Sequence, residues 1–88
     1  MDDILIVCDT MRQAGNLLNR CAVLLHNDSS VRFHMARREI RILNKQSIRF
    51  TSKERYIRYD QLGFIGKIID GNDFERDLDR AELLNSIF

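Results

Sequence analysis

Two segments near opposite ends of the chain share one layout: an apolar run, then a carboxylate, then an amphipathic helix. The first run covers 4–8 and is followed by Asp9, and the second covers 64–69 and is followed by Asp70. Short apolar runs with β-branched residues are typical of strands that are buried on both faces. Since ligands in an open α/β sheet bind outside the carboxyl ends of parallel strands, the two aspartates indicate where to look for a site.

The first helix is predicted from a start signal and an apolar stripe. Thr10 is placed to cap it, and Gln13 follows three residues later, as in a capping box. The polar run 27–30 ends the pattern. The stripe recurs at three- and four-residue spacing over about four turns, and it consists of Met11, Ala14, Leu17, Leu18, Cys21, Leu24 and Leu25.

From Val31 the apolar period changes to two, which predicts antiparallel strands. Two or three strands fit this stretch, with 38–43 and 47–51 paired as a hairpin. On that pairing Arg41 and Arg49 share the outward face, and Glu39 is a third candidate for it.

The rest of the chain predicts two helices and a strand. Ser52 is placed to cap a short helix over 53–62 that ends at Gly63, and Asn72 to cap the last helix. The order is therefore β-α-β-β-(β)-α-β-α. We predict a single α/β domain over 1–88, with a small mixed sheet, parallel terminal strands and helices packed on the sheet. The buried stripe of the last helix is predicted to be Phe74, Leu78, Ala81, Leu84 and Phe88.

The net charge of +1 conceals an uneven distribution of charged residues. Residues 1–30 carry two arginines against four acids, 31–67 carry ten basic residues against three acids, and 68–88 carry two arginines against six acids. A basic centre of this kind suits contacts to phosphates or to an acidic protein surface, and a solvated face is the plain alternative. The candidate binding residues are Arg32, Arg37, Arg38, Arg41, Lys45, Arg49, Arg55, Arg58, Tyr56 and Tyr59.

The cysteines and the N-terminus indicate a compartment. Cys8 and Cys21 fall in apolar patterns without metal or redox spacing, so both are expected to be buried free thiols in a reducing compartment. Acids follow Met1 where a signal peptide would be basic, and no apolar run approaches a membrane span. We therefore expect a soluble cytoplasmic protein with no membrane partner.

Residues 4–14 join a strand to a helix, 47–52 close the hairpin, and 67–70 end an apolar strand in an aspartate. Together these stretches resemble the core of a P-loop NTPase of the helicase and phage-terminase kind, with 67–70 similar to a Walker B motif. The chain has no GxxxxGK[ST] loop to wrap phosphates, and Gly71 stands where Walker B places its catalytic glutamate. The resemblance therefore implies a reduced α/β core without ATP hydrolysis.

Asp9, Asp70 and Asp73 are metal candidates, because hard cations such as Mg²⁺ take carboxylate oxygens. The same acids also have an ordinary structural role, since acids near a helix N-terminus favour its dipole. His26 and His34 have no serine or cysteine at a recognisable catalytic spacing. No cofactor and no catalytic residue are predicted.

The leading hypothesis is a non-enzymatic intracellular binding protein that acts through a protein partner. A phage-type regulator or inhibitor, such as an anti-CRISPR or other anti-defence protein, is one concrete form of it. The alternative is a nucleic-acid-binding accessory protein that uses the arginines of 32–58, and the third hypothesis is a minimal Mg²⁺-dependent phosphate enzyme. An uncovered hairpin edge would allow strand addition, which leaves a homodimer open.

Overall fold

A computed structural model gives a five-stranded mixed sheet with three α-helices packed on it, as the sequence predicts. The structure describes residues 3–43, 45–61 and 66–84, with the side chains of all but 58–61 and 81–84. The strands are β1 (Ile4–Cys8), β2 (Val31–His34), β3 (Glu39–Ile42), β4 (Ser47–Ser52) and β5 (Lys67–Asp70), and the helices are α1 (Met11–Leu25), α2 (Lys53–Gln61) and α3 (Gly71–Leu84).

The strand order β2-β3-β4-β1-β5 combines an antiparallel half with a parallel half. β1 runs parallel to both β4 and β5, so the prediction that the terminal strands are parallel is confirmed. The predicted hairpin is also confirmed, since β3 pairs with β4 and Glu39 lies opposite Arg49. The connection from β1 to β4 and the connection from β4 to β5 run in opposite directions along the sheet. Right-handed crossovers therefore place α1 and α2 on opposite faces, with the topological switch point between β1 and β4.

The main core lies on the face of the sheet that α1 and α3 cover. Ile6 and Phe50 are directly opposite each other on β1 and β4 and are almost fully buried, together with Leu18 of α1 and Leu78 of α3. Of the predicted α1 stripe, Leu24 is 39% exposed instead of buried. On the other face, where β1 and β4 contact α2, Leu5 is fully buried.

The predicted caps of α1 and α2 are confirmed. Thr10 Oγ1 accepts a hydrogen bond from the Gln13 amide at 3.1 Å, and Ser52 Oγ accepts one from the Arg55 amide at 3.3 Å. The Gln13 side chain reaches back one residue further than a capping box requires, because its Oε1 accepts from the Asp9 amide at 2.9 Å.

The predicted cap of α3 at Asn72 is wrong, because the helix begins at Gly71 and its cap lies two residues earlier than predicted. Asp70 Oδ1 accepts hydrogen bonds from the Asn72 amide at 2.8 Å and the Asp73 amide at 3.4 Å, which is the geometry of an N-cap. The carboxylate that ends β5 is therefore also the residue that starts α3.

The period-two alternation runs over 31–36, two residues further than β2 itself. The strand ends at His34, a 3₁₀ turn covers Met35–Arg37, and Arg38 adopts a left-handed conformation with φ of 50°. This turn reverses the chain so that β3 can pair with β2. The predicted helix end at Gly63 and the predicted burial of Phe88 lie outside the described residues. Among the described residues, no helix has the length and apolar content that crossing a membrane requires.

Candidate anion-binding site

The two strand-end carboxylates lie at the carboxyl edge of the parallel strands, as the topology requires, but an ion pair spans the switch point. Asp9 Oδ1 lies 2.8 Å from Lys53 Nζ, which joins the end of β1 to the start of α2. Asn72 Nδ2 donates to the other Asp9 oxygen at 3.1 Å. Hydrogen bonds from Lys53 and Asn72 hold the pKa of Asp9 below its usual value, and the same pair raises the pKa of Lys53.

The three aspartates that could have held a metal each have a different local partner. Asp9 binds Lys53, Asp70 caps α3, and Asp73 forms an ion pair with Arg76 one helical turn away. Within the described residues, no three His, Cys, Asp or Glu side chains come together in an arrangement that could hold a metal ion.

Gly71 follows Asp70 at a point where α3 and β1 are in close contact. A Cβ atom there would lie 2.7 Å from Cys8 Sγ and 2.8 Å from Cys8 Cα. Real Cβ atoms almost never approach other heavy atoms this closely, so the position has no room for any larger side chain. In the resemblance Gly71 stands where Walker B has a glutamate, and the contact with β1 leaves no room for that side chain.

Both cysteines are buried and neither is in a disulfide, as the sequence predicts. Burial, followed by the charges of Asp70, Asp9 and Glu75, raises the pKa of the Cys8 thiol to about 11. A thiol with this pKa is almost entirely protonated at neutral pH and is a poor nucleophile.

Glu39 lies on the same face as Arg41 and Arg49, as predicted, but its side chain is fully buried. Arg41 Nε donates to Glu39 Oε1 at 2.6 Å, and Arg49 Nε donates to Oε2 at 2.8 Å, so each carboxylate oxygen has its own arginine. Burial alone would raise the pKa of Glu39, but the hydrogen bonds from Arg49 and Arg41 outweigh it and hold the pKa below its usual value. The outward face of the hairpin is therefore partly neutralised.

The candidate binding residues do not form one surface, because they divide between the two ends of the hairpin. At the carboxyl end of β4 lies a pocket of about 290 Å³, which we call the arginine pocket. At the opposite end lies a second pocket of about 380 Å³, here the loop pocket, which includes Arg32, Arg41 and Lys45. The arginine pocket is lined by Met11, Ala36, Arg37, Arg38, Arg49, Phe50, Thr51 and Arg55.

Of the four arginines that line the arginine pocket, Arg49 binds Glu39 and the other three have no described acidic partner. Within the described part of the chain, Arg37, Arg38 and Arg55 form no ion pair, and no acidic side chain lines the pocket. Thr51 also lines the pocket, and its buried Oγ1 has no hydrogen-bond partner among the described residues. The charged side chains of the described lining are therefore all hydrogen-bond donors, which is the arrangement that an anion requires.

The loop pocket differs because both of its arginines have described partners. Arg32 donates to the backbone oxygens of Ser29 and Val31 at 2.8 and 3.2 Å, and Arg41 binds Glu39. Hydrogen bonds from the Ser30 side chain and amide, together with the charge of Lys45, hold the pKa of Asp28 below its usual value. The loop pocket is thus closer to electrical balance than the arginine pocket.

The aromatic candidates contribute less than the sequence suggests. Tyr56 is partly buried on α2, and the side chains of Arg58 and Tyr59 lie outside the described residues. Four residues that line the arginine pocket were not predicted as site residues, namely Met11, Ala36, Phe50 and Thr51. Thr51 follows the alternation of β4 onto the Arg49 face, but no sequence signal shows that its hydroxyl lacks a partner.

Comparison with protein-family models, with curated proteins and with solved structures found no match for this chain.

Proposed function

We propose that the protein is a non-enzymatic binding protein whose arginine pocket engages an acidic determinant on a protein partner in the cytoplasm. The observation that carries the proposal is the convergence of Arg37, Arg38 and Arg55 on one pocket, where none of the three forms a described ion pair. Like charges held together in this way repel one another, and a bound anion removes the repulsion. The two buried cysteines, which form no disulfide, support a reducing compartment.

The local character of the positive charge favours a protein over a nucleic acid. A nucleic-acid groove needs a track of basic groups along several phosphates. Here Glu39 binds Arg41 and Arg49, and Asp9 binds Lys53, which interrupts such a track. The arginine pocket is therefore a compact basic site and not part of a continuous basic track.

The neighbourhood of the pocket has the composition of a protein interface. Met35, in the 3₁₀ turn just before Arg37, is 49% exposed, and Met11 lines the pocket. Arginine and methionine are both enriched in protein–protein interfaces. A regulator or inhibitor of the phage or anti-CRISPR type is the concrete form in which such a small charged binder would act.

The test is affinity capture from a lysate of the native host with two matched charge-reversal variants. The pocket variant combines Arg37→Glu with Arg55→Glu, and the control combines Arg12→Glu with Arg80→Glu, two arginines that are exposed and outside the pocket. A protein partner should be retained by the wild type and the control and lost about tenfold or more by the pocket variant.

Two results would contradict the proposal. If no captured protein depends on the pocket arginines, the pocket is not a partner site. If nuclease treatment releases everything that the pocket variant fails to capture, the ligand is a nucleic acid, and the binding should then fall steeply with salt.

A further inference from the structure

We infer that the arginine pocket is a phosphate-binding site that recognises a phosphorylated side chain, with the Thr51 hydroxyl as a hydrogen-bond donor to the phosphate. This assignment rests on the proposed function, because it specifies the acidic group that the same pocket receives. It depends on four observations in the pocket: its donors, its volume, the unsatisfied hydroxyl and the backbone of Arg38.

The donors favour a phosphate over a carboxylate. Four guanidinium groups line the pocket, and only Arg49 has a described carboxylate partner, which it binds through Nε. A carboxylate carries one charge and two oxygens, whereas a phosphorylated side chain carries close to two charges and three strong acceptor oxygens. Arginine binds such oxygens in pairs, so several guanidinium groups can share one phosphate.

The unsatisfied hydroxyl is the most specific observation. Thr51, which lines the pocket, is 2% exposed, and its buried Oγ1 has no hydrogen-bond partner in the part of the chain that the structure describes. Leaving a buried hydroxyl without a partner is unfavourable, so native proteins seldom do it. A phosphate oxygen in the pocket would accept from this hydroxyl. In the loop pocket the unsatisfied atom is Gln46 Oε1, which is an acceptor and cannot bind an anion.

The backbone at Arg38 is also unusual for its residue type. Arg38 has φ of 50° and ψ of 52°, a left-handed conformation that disfavours residues with a Cβ atom. Its backbone oxygen accepts from the Phe50 amide at 2.9 Å, which holds the turn against β4 and the arginine at the pocket. Glycine would fit this turn with less strain, but it would remove one of the pocket's positive charges.

The volume of the pocket limits the size of the ligand. At about 290 Å³ it lies at the lower end of the range for small-molecule sites. A phosphorylated side chain would place its phosphate among the arginines while the rest of the partner stays outside. A nucleotide would need additional contacts for its base.

The experiment measures binding of inorganic phosphate, O-phosphoserine, serine and adenosine 5′-monophosphate to the full chain by isothermal titration at constant ionic strength. Phosphate and phosphoserine should bind, and serine should not. Thr51→Val keeps the shape of the side chain and should weaken phosphate binding about tenfold. Arg55→Ala and Arg38→Gly should weaken it at least as much, and Arg80→Ala should change it less than about twofold.

Measuring the stability of each variant distinguishes a loss of phosphate binding from a loss of folding. Thr51→Val and Arg38→Gly should leave the ligand-free protein at least as stable as the wild type, because each removes an unfavourable feature. Reduced phosphate binding by these stable variants would support the assignment. Binding that is unaffected by Thr51→Val would overturn the role of the hydroxyl.

The outcomes separate this assignment from the proposed function. If no phosphate compound binds the wild type, the phosphate assignment is wrong, but a partner lost with Arg37→Glu and Arg55→Glu would still support the binding function. If phosphate binds and no partner depends on the pocket, the binding function is wrong. If adenosine 5′-monophosphate binds more tightly than phosphoserine, the phosphate belongs to a nucleotide, and recognition of a phosphorylated side chain is refuted.

Discussion

Replacing Glu39 by glutamine tests whether the buried carboxylate stabilises the hairpin. Glu39 is fully buried and binds Arg41 and Arg49 with Nε–Oε distances of 2.6 and 2.8 Å. The amide of Glu39→Gln keeps one acceptor oxygen and turns the other position into a donor that faces a guanidinium donor. One charge-assisted hydrogen bond is lost and the other is weakened.

The expected loss of stability follows from these two bonds. A hydrogen bond to a charged group contributes about 1.5–3 kcal/mol. Since the side chains of Arg41 and Arg49 are 56% and 36% exposed, water can replace part of what the carboxylate provides. We therefore expect Glu39→Gln to lower the free energy of unfolding by about 2 kcal/mol at pH 7.

Urea unfolding followed by circular dichroism across a pH series checks both the magnitude and its origin. The folded pKa of Glu39 lies below its usual 4.5, so its stabilisation is present above pH 4.5 and is lost as the pH falls through the folded pKa. The gap between wild type and Glu39→Gln should be constant near neutral pH and close at low pH. The control is Glu54→Gln, at an exposed position in the first turn of α2, which should change stability by less than about 0.5 kcal/mol.

Two results would refute this reasoning. If Glu39→Gln is as stable as the wild type at pH 7, the free-energy cost of desolvating the carboxylate cancels the stabilisation from its hydrogen bonds to the two arginines. If the gap persists unchanged at the lowest pH at which both proteins fold, the loss comes from altered packing and the charge is not its cause.

Three further predictions concern backbone packing, the buried thiol and the ion pair at the switch point. Gly71→Ala should destabilise the fold by about 1–3 kcal/mol, because its Cβ would collide with Cys8. Gly15→Ala, with nothing within 4 Å of its Cβ, should stabilise α1 by about 0.5–1 kcal/mol. Urea unfolding measures both, and a change in the free energy of unfolding with the same sign for the two variants would contradict the prediction. Cys8 should resist iodoacetamide at pH 8 until denaturant is added, and rapid labelling of the folded protein, seen by mass spectrometry, would show that its thiol is not shielded. Lys53→Met should raise the pKa of Asp9 in an NMR titration, and an unchanged pKa would show that the pair is not formed in solution.

Short-range patterns in the sequence predict the elements that depend on neighbouring residues. The alternation of Ile40, Ile42, Ile48 and Phe50 fixes both the hairpin and its register, because a slip of one residue would expose the whole apolar face. The cap at Thr10 is equally local, since its partner is only three residues away. These features, with the two apolar runs, are sufficient for the fold class and the parallel terminal strands.

The electrostatics could not be predicted in this way, because the decisive pairs join distant parts of the chain. Lys53 is counted in the basic centre, yet it binds Asp9, which lies 44 positions earlier. Glu39 alternates onto a polar face, which suggests exposure to solvent, but its carboxylate is buried between two arginines on that face. The composition of 31–67 therefore overstates how much positive charge is open to a ligand.

The arginine pocket depends on features that a sequence does not display. A left-handed position is usually recognised in a sequence by glycine or asparagine, but here the residue is Arg38. Its conformation follows from the need to reverse the chain between β2 and β3. The unsatisfied state of Thr51 Oγ1 depends on what surrounds it in three dimensions. The sequence shows an arginine and a threonine at these two positions, but it does not show that the backbone of one and the hydroxyl of the other are in unfavourable states.

The distribution of unfavourable features argues for a function at the pocket beside the switch point. At the switch point itself Asp9 and Lys53 satisfy each other, so the ends of the two strand–carboxylate–helix units act as framework. One pocket nearby combines a buried hydroxyl without a described partner, the left-handed Arg38 and two further arginines, Arg37 and Arg55, without described ion pairs. Each of these lowers the stability of the empty protein, and a single phosphate group would relieve two of them together. Sites that break local rules without structural compensation are where binding or catalysis is expected.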